Sequence, residues 1–195
     1  MLGAIIALNI FSQAEAVGND TTSPDEKVET AIQWAIGIAN DNNHGYSQGA
    51  GIGRYTGSRE SPDYDCSSLI YHALQYAGFD IIGQWQKNNP EYWKRYNGRQ
   101  YSGDADTIWM DLEKLGGWSK YSWSEVKNNL VRGDILCIPE HHVAFYIGEG
   151  KTVEARGVNN PTGRGSYATG DQGGEIDFYN AQGRGWIEVY RYTGK

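Results

Sequence analysis

Apolar residues recur at helical spacing in three stretches of the chain and alternate at strand spacing in its last third. Val28, Ala31, Ile32, Ala35, Ile36 and Ala39 make the first stripe, opened by Ser23-Pro24-Asp25-Glu26 and closed by Asn40-Asp41-Asn42-Asn43. Ser23 can cap, Pro24 suits the first helical position and Glu26 completes a capping box. The pattern predicts a helix over 24–39 that packs on the core and carries no chemistry itself. Leu69, Ile70, Ala73, Leu74 and Ala77 make the second stripe, stopped by Gly78. Ile108, Leu112 and Leu115 make the third, stopped by Gly116-Gly117. Ser122-Trp123-Ser124-Glu125 is another capping box, opening a short helix that runs to Asn129.

From Val131 the pattern turns to strands. Arg132-Gly133-Asp134 is a turn into Ile135-Leu136-Cys137-Ile138, an unbroken apolar run that reads as a buried strand ended by Pro139-Glu140. The next segment alternates, with Val143, Phe145 and Ile147 on one face and His142, Ala144 and Tyr146 on the other. Gly148-Glu149-Gly150 makes a hairpin turn and 151–155 the return strand. With Ile147 opposite Lys151, Ala144 falls opposite Glu154, and His142 is a diagonal neighbour of Glu154 on the same face. The small Ala144 marks a face that a helix can approach closely. Beyond the return strand, the chain to Gly185 reads as Gly- and polar-rich surface loop, and 186–190 as the closing strand. Two irregular stretches precede all this. Residues 44–63 form a Gly-rich loop with Tyr46, Gln48 and Tyr55 that leads straight into Cys66 and can wall a site there. Residues 79–103 hold Trp85, Tyr92, Trp93, Tyr96 and Tyr101, which either stack on sugar or peptide or cover the core.

Composition narrows the class. A chain of 195 residues suits one domain with a substantial core, here 23–195. A net charge of −7 argues against a dedicated nucleic-acid binder, which needs a basic face. Two cysteines allow at most one bridge, so a disulfide framework is excluded. No apolar stretch is long enough for a stable membrane span. Residues 1–22 stand apart. The apolar run from Leu2 to Phe11 and the triplet Ala14-Glu15-Ala16 are signal-like but lack a positive n-region, so the segment is signal-like, a linker or part of a truncated neighbour.

Candidate chemistry centres on Cys66. It opens the second helix on the side of Leu69 and Ile70, where the helix dipole and the unpaired N–H groups of the first turn favour thiolate. An isolated cysteine is more often a small core residue, but Asp65, Ser67 and Ser68 are polar where an inert one usually has apolar neighbours. Cys137, inside an apolar strand, reads as inert. His142 on the alternating strand and Glu154 on the return strand complete a nucleophile, a base and an orienting carboxylate. The Cys66 backbone N–H and the Tyr46 hydroxyl are candidates to hold an oxyanion. His141 points away from His142 in a regular strand and His72 lies off the Cys66 face, while His44, in the loop, stays open as an alternative base. Adjacent strand residues diverge, so His141 and His142 make no metal site, and the chemistry calls for no cofactor.

These blocks carry a resemblance. Asp65-Cys66-Ser67-Ser68, Gly133-Asp134-Ile135 and 142–148 together resemble the NlpC-type papain-like cysteine peptidases that cut peptidoglycan. Asn43-His44-Gly45-Tyr46-Ser47-Gln48 and Asp63-Tyr64-Asp65-Cys66 are more specifically similar to the bacteriophage branch, the endolysin amidases and endopeptidases. The resemblance implies an α+β fold with the nucleophile helix packed on an antiparallel sheet. It carries Cys66 over as nucleophile and His142 as base, and puts Glu154 where the family's third polar residue, often a histidine, falls. Tyr46, Asp65 and Ser67 carry over as substrate or oxyanion contacts, with Tyr55 an alternative to Tyr46 because 49–62 is expanded. It also implies bacterial peptidoglycan as partner, action on the cell wall after secretion or phage delivery, and further domains of a larger lysin or tail protein. A wall-binding or virion structural module that keeps the fold without catalysis is the competing function, which has no need of the Cys66, His142 and Glu154 set.

Overall fold

The computed structural model describes residues 24–46, 63–91, 103–156 and 174–194. In chain order its elements are α1 (Pro24–Ala39), α2 (Cys66–Tyr76), α3 (Ile81–Asn88), α4 (Ile108–Leu115), β1 (Trp118–Ser122), α5 (Trp123–Val126), β2 (Ile135–Ile138), β3 (His142–Gly148), β4 (Lys151–Ala155), β5 (Ile176–Asn180) and β6 (Glu188–Tyr192). The strands form one sheet in the order β1-β6-β2-β3-β4-β5, every pairing antiparallel.

The predicted stripes become the inner faces of the helices. Val28, Ala31, Ile32 and Ala35 of α1 and Leu69, Ile70, Ala73 and Leu74 of α2 pack with Val143, Phe145, Val153 and Ala155 of the central strands. Burying each large apolar side chain of this kind contributes roughly 1.5–3 kcal/mol, so this layer dominates stability. The unbroken run of β2 is buried on both faces, as its lack of alternation implies. Leu136 faces away from α1 and α2 into a smaller cluster with Val126 of α5, Ala144, Ala181, Trp186 and Val189.

That second cluster corrects one expectation. The Cys66 helix does not approach the Ala144 face; α1 and α2 cover the Val143 and Phe145 face, and Ala144 clusters with Trp186 and with Val126 of α5. The β3–β4 register also differs at its turn. Gly148, not Ile147, pairs with Lys151, and a bulge absorbs the extra residue before Tyr146↔Thr152 and Phe145↔Val153. Continuing that register sets Ala144 opposite Glu154 after all, with His142 opposite Arg156.

The turn before β2 docks α1 to the sheet. Gly133 has φ +99°, and a Cβ there would lie 2.3 Å from the Val28 Cγ1, so only glycine fits. Buried Asp134 accepts the Val131 N–H at 2.8 Å and both Nε and Nη2 of Arg191 at 2.7 Å. Arg132 pairs with Glu29 of α1 at 2.7 Å. The structure adds α3, β1 and β5, and the closing strand runs two residues later than expected, leaving Trp186 outside it. The Ser23 cap and residues 1–22 lie outside the described residues. No helix among those described is long and apolar enough to cross a membrane.

Candidate active site

Asp65 explains why α2 starts where it does. Its Oδ1 accepts the Ser68 N–H at 2.7 Å and the Ser67 hydroxyl at 2.8 Å, while Ser68 Oγ accepts the Asp65 N–H at 2.9 Å. This reciprocal capping box leaves Cys66 as the first helical residue, in the field that favours thiolate. Asp65, Cys66, Ser67 and Ser68 are all buried, so the polar residues around the cysteine are the cap itself. Of the residues read as substrate contacts, Asp65 and Ser67 are engaged with each other in that cap.

A chain of contacts brings this helix start to one end of the sheet. Tyr46 forms a bridge with Tyr64, two residues before Cys66, and the Tyr64 N–H donates to the Gly45 carbonyl at 2.9 Å. The Tyr46 N–H donates to Glu175 Oε2 at 2.9 Å, and the Glu175 carbonyl accepts the Arg156 N–H at 2.8 Å. Arg156 follows directly on β4, at the end where His142 begins β3. α2 packs against both strands. Tyr46 is therefore buried beside the segment that carries the cysteine. Tyr55, Tyr92, Trp93, Tyr96 and Tyr101 lie outside the described residues, and Trp85 is a core residue of α3.

His142 and Glu154 form the pair the sequence predicted. His142 Nε2 lies 2.7 Å from Glu154 Oε2, and the carboxylate is fully buried. Thr152, two positions earlier on the same face, donates its hydroxyl to Glu154 Oε1. Arg184 Nη2 donates to Oε2, and Arg156 Nε stands 3.8 Å from the same oxygen. Burial pushes the Glu154 carboxyl up, but the hydrogen bond and charge of His142, the Thr152 hydroxyl and the Arg184 charge outweigh it and hold the group below the ordinary glutamate range. It is ionised at neutral pH. The Trp186 ring stacks on the imidazole, with centroids 5.7 Å apart and planes 20° from parallel.

With Nε2 on Glu154, His142 keeps Nδ1 for a thiol. The ring is held on Glu154 through Nε2 and stacked on Trp186. The competing groups have other partners. His141 is an exposed turn residue rather than a strand residue. His72 packs on Trp34 and Tyr64, and His44 pairs with Asp41 at 3.5 Å. Cys137 lies in the core, where burial pushes its thiol up to about 12, so it stays protonated. Both cysteines are free thiols. Among the described residues no cluster of His, Cys, Asp and Glu could hold a metal.

The sequence reading does not include Thr152, Arg184 or Trp186 in the site. Strand alternation places Thr152 beside Glu154. Nothing in a Gly-rich loop points to Arg184, and nothing in the expected closing strand points Trp186 at His142.

A helix that starts at a cysteine, laid on an antiparallel sheet that carries a histidine paired with a carboxylate, is the papain-like α+β arrangement of cysteine peptidases. The NlpC/P60 family model matches residues 53–172, more than half of the chain, and the protein belongs to that family. Two mutated forms of the Resuscitation Promoting Factor Interacting protein RipA share the fold, with TM-scores of 0.51 and 0.50 at 17% and 16% identity. These matches cover 93% and 88% of this chain and 69% and 64% of theirs, so the second spans less than two thirds of the RipA structure. The peptidoglycan hydrolase RipB from Mycobacterium tuberculosis aligns at 16% identity and a TM-score of 0.48, over 91% of this chain and 69% of its own. No curated protein matches the chain.

Proposed function

We propose that this protein is a peptidoglycan hydrolase, cutting an amide bond in bacterial cell-wall peptide by a Cys66–His142–Glu154 mechanism. The buried, ionised Glu154 on the His142 imidazole is the observation that carries the reading, because a binding module gains nothing from a desolvated carboxylate aimed at a histidine. Family membership supports the substrate class, and RipB is itself a peptidoglycan hydrolase by name. The RipA forms are mutated at a histidine and at a glutamate twelve positions apart, the separation of His142 and Glu154.

In this mechanism the Cys66 thiolate attacks the carbonyl carbon, and the electron pair of the C=O moves to oxygen. The Cys66 N–H and the Tyr46 hydroxyl hold that oxyanion. Collapse breaks the C–N bond, and the leaving amine takes the proton from the His142 imidazolium. His142 then removes a proton from water, whose oxygen attacks the thioester. A carboxylate leaves and the thiolate returns. Glu154 keeps the imidazole in the required tautomer and stabilises its charged form. Either an endopeptidase or an N-acetylmuramoyl-L-alanine amidase fits this chemistry, and the protein acts at the wall after secretion or phage delivery, from a virion or a lysis cassette.

The test is clearing of purified cell walls. Cys66→Ala should fold as the wild type does and abolish clearing, whereas Cys137→Ser should keep it at some cost in stability. Equal clearing by wild type and Cys66→Ala would remove the nucleophile and leave the structural-module reading in its place.

A further inference from the structure

The segment joining β5 to β6 reaches both members of the base pair. Trp186 is almost wholly buried, and its Nε1 donates to the Ala181 carbonyl at 2.7 Å, which closes the segment on itself with the ring against His142. Its ends are tied to the sheet: the Ala181 N–H donates to the Gly150 carbonyl at 2.8 Å and the Ile187 N–H to the Cys137 carbonyl at 3.0 Å. Arg184 stands between Gly183 and Gly185, both in the left-handed region at φ +76° and +79°. That backbone path turns Arg184 toward Glu154 while Trp186 turns toward the imidazole.

We propose that this segment is a positioning clamp for the base pair, with Trp186 fixing the plane of the His142 ring and Arg184 fixing the Glu154 carboxylate while sharing its charge. The catalytic meaning rests on the proposed function; the clamp itself does not. Glu154 Oε2 serves the imidazole and the Arg184 guanidinium together, and Oε1 is taken by Thr152. A carboxylate held at both oxygens cannot rotate away from the imidazole. Among the described residues, the charged groups at the His142 ring and its partner are Glu154, Arg156 just past β4, and Arg184 from the clamp. Tyr179 of β5 lies under both guanidiniums, 4.5 Å from Arg156 and 5.4 Å from Arg184. Glu140 and His141 precede His142 on its turn, with Asp106 interacting with both. A guanidinium on the far side of the carboxylate opposes protonation of the imidazole. Arg184 therefore tempers the basicity that Glu154 alone would confer, and Trp186 supplies orientation.

The test reads the pair without any substrate. The His142 ring is titrated by NMR in the full-length chain carrying Cys66→Ala, alone and with Arg184→Gln, Arg184→Lys, Trp186→Leu or Trp186→Phe. Arg184→Gln should raise the His142 midpoint by about half a unit to one unit, and Arg184→Lys, which keeps the charge, should hold it within a few tenths. With Cys66 intact, Trp186→Leu should lower kcat about tenfold or more with little change in KM, and Trp186→Phe, which keeps a ring to stack, should restore most of it. An unmoved midpoint in folded Arg184→Gln overturns the electrostatic role. Equal losses in Trp186→Leu and Trp186→Phe overturn the stacking role. If Arg184→Gln does not fold, a lysine variant titrating away from the parent midpoint contradicts the proposal equally. Should no variant or wild type cleave peptidoglycan while the midpoint moves as stated, the proposed function fails and the clamp stands.

Discussion

His141 and His142 are adjacent in the chain and take different places in the fold because one ends a turn and the other begins a strand. The Ile138↔His142 pairing fixes the register, and His141 is exposed to solvent. We expect His142→Ala to lose about a thousandfold or more in kcat/KM and His141→Ala to stay within a few-fold of wild type. A dead His141→Ala would contradict the register. Glu154 is the more delicate member. Its lowered pKa means that its stabilising pairs are fully present above the ordinary glutamate value and are lost as pH falls through the folded value. Glu154→Gln keeps the hydrogen bond geometry and removes the charge that favours imidazolium. The rate should fall roughly ten- to a thousandfold, and the alkaline limb of the pH–rate profile, set by loss of the imidazolium proton, should move down. An unchanged rate with an unchanged alkaline limb would reduce Glu154 to a structural carboxylate. The sequence shows these three residues because each obeys a local rule: a helix start for Cys66, alternation for His142, a hairpin register for Glu154.

Helices and strands differed in how openly the sequence announces them. α1, α2 and α4 carry clear apolar stripes between stop signals, and β2, β3 and β4 carry long apolar or alternating runs. The two strands that went unseen, β1 and β5, are the edges of the sheet, and each buries only its first residue fully. An edge strand with a polar outer face leaves a weak pattern. α3 was hidden in an aromatic-rich stretch because Asp80 makes no side-chain cap and only Ile81, Ile82 and Trp85 are buried. Three helices meet at one buried carboxyl. Asp111 of α4 accepts the Tyr71 hydroxyl of α2 and the Asn88 amide of α3, each at 2.6 Å. Burial pushes its pKa up to about 6, against the pull of those two hydrogen bonds. Because the folded value exceeds the unfolded one, its stabilising contribution is full below about pH 4 and is lost as pH rises through about 6. Asp111→Asn keeps an acceptor for Tyr71 and removes the titration, so its melting temperature should vary less with pH over that window. The difference corresponds to about 3 kcal/mol at most. Identical pH profiles for the two proteins would show that Asp111 ionises without cost.

At the scale of the whole molecule, the sheet is clad on both faces, and the two faces have different duties. The Val143 and Phe145 face anchors α1 and α2, and with them the cysteine; the Ala144 face holds Trp186 against His142. The sequence had the two faces of β3 assigned correctly but the wrong partner on one of them. Alternation tells which residues share a face, whereas what covers that face depends on where a distant loop returns. For the same reason Arg184 reads as surface loop and Trp186 as the start of the closing strand. The connection from Cys66 to His142 likewise runs through Glu175, a residue with no local signal, which joins Tyr46 to the end of β4.

The proposed function requires Cys66, with His142 and Glu154, to hydrolyse an amide of the wall peptide. Digestion of purified peptidoglycan in heavy-oxygen water, followed by mass spectrometry of the fragments, tests this chemistry. The prediction is one new amine and one new carboxylate per cut, with a single heavy oxygen in that carboxylate, for wild type and not for Cys66→Ala. Fragments cut only at glycosidic bonds, or the same labelled fragments from Cys66→Ala, would contradict it.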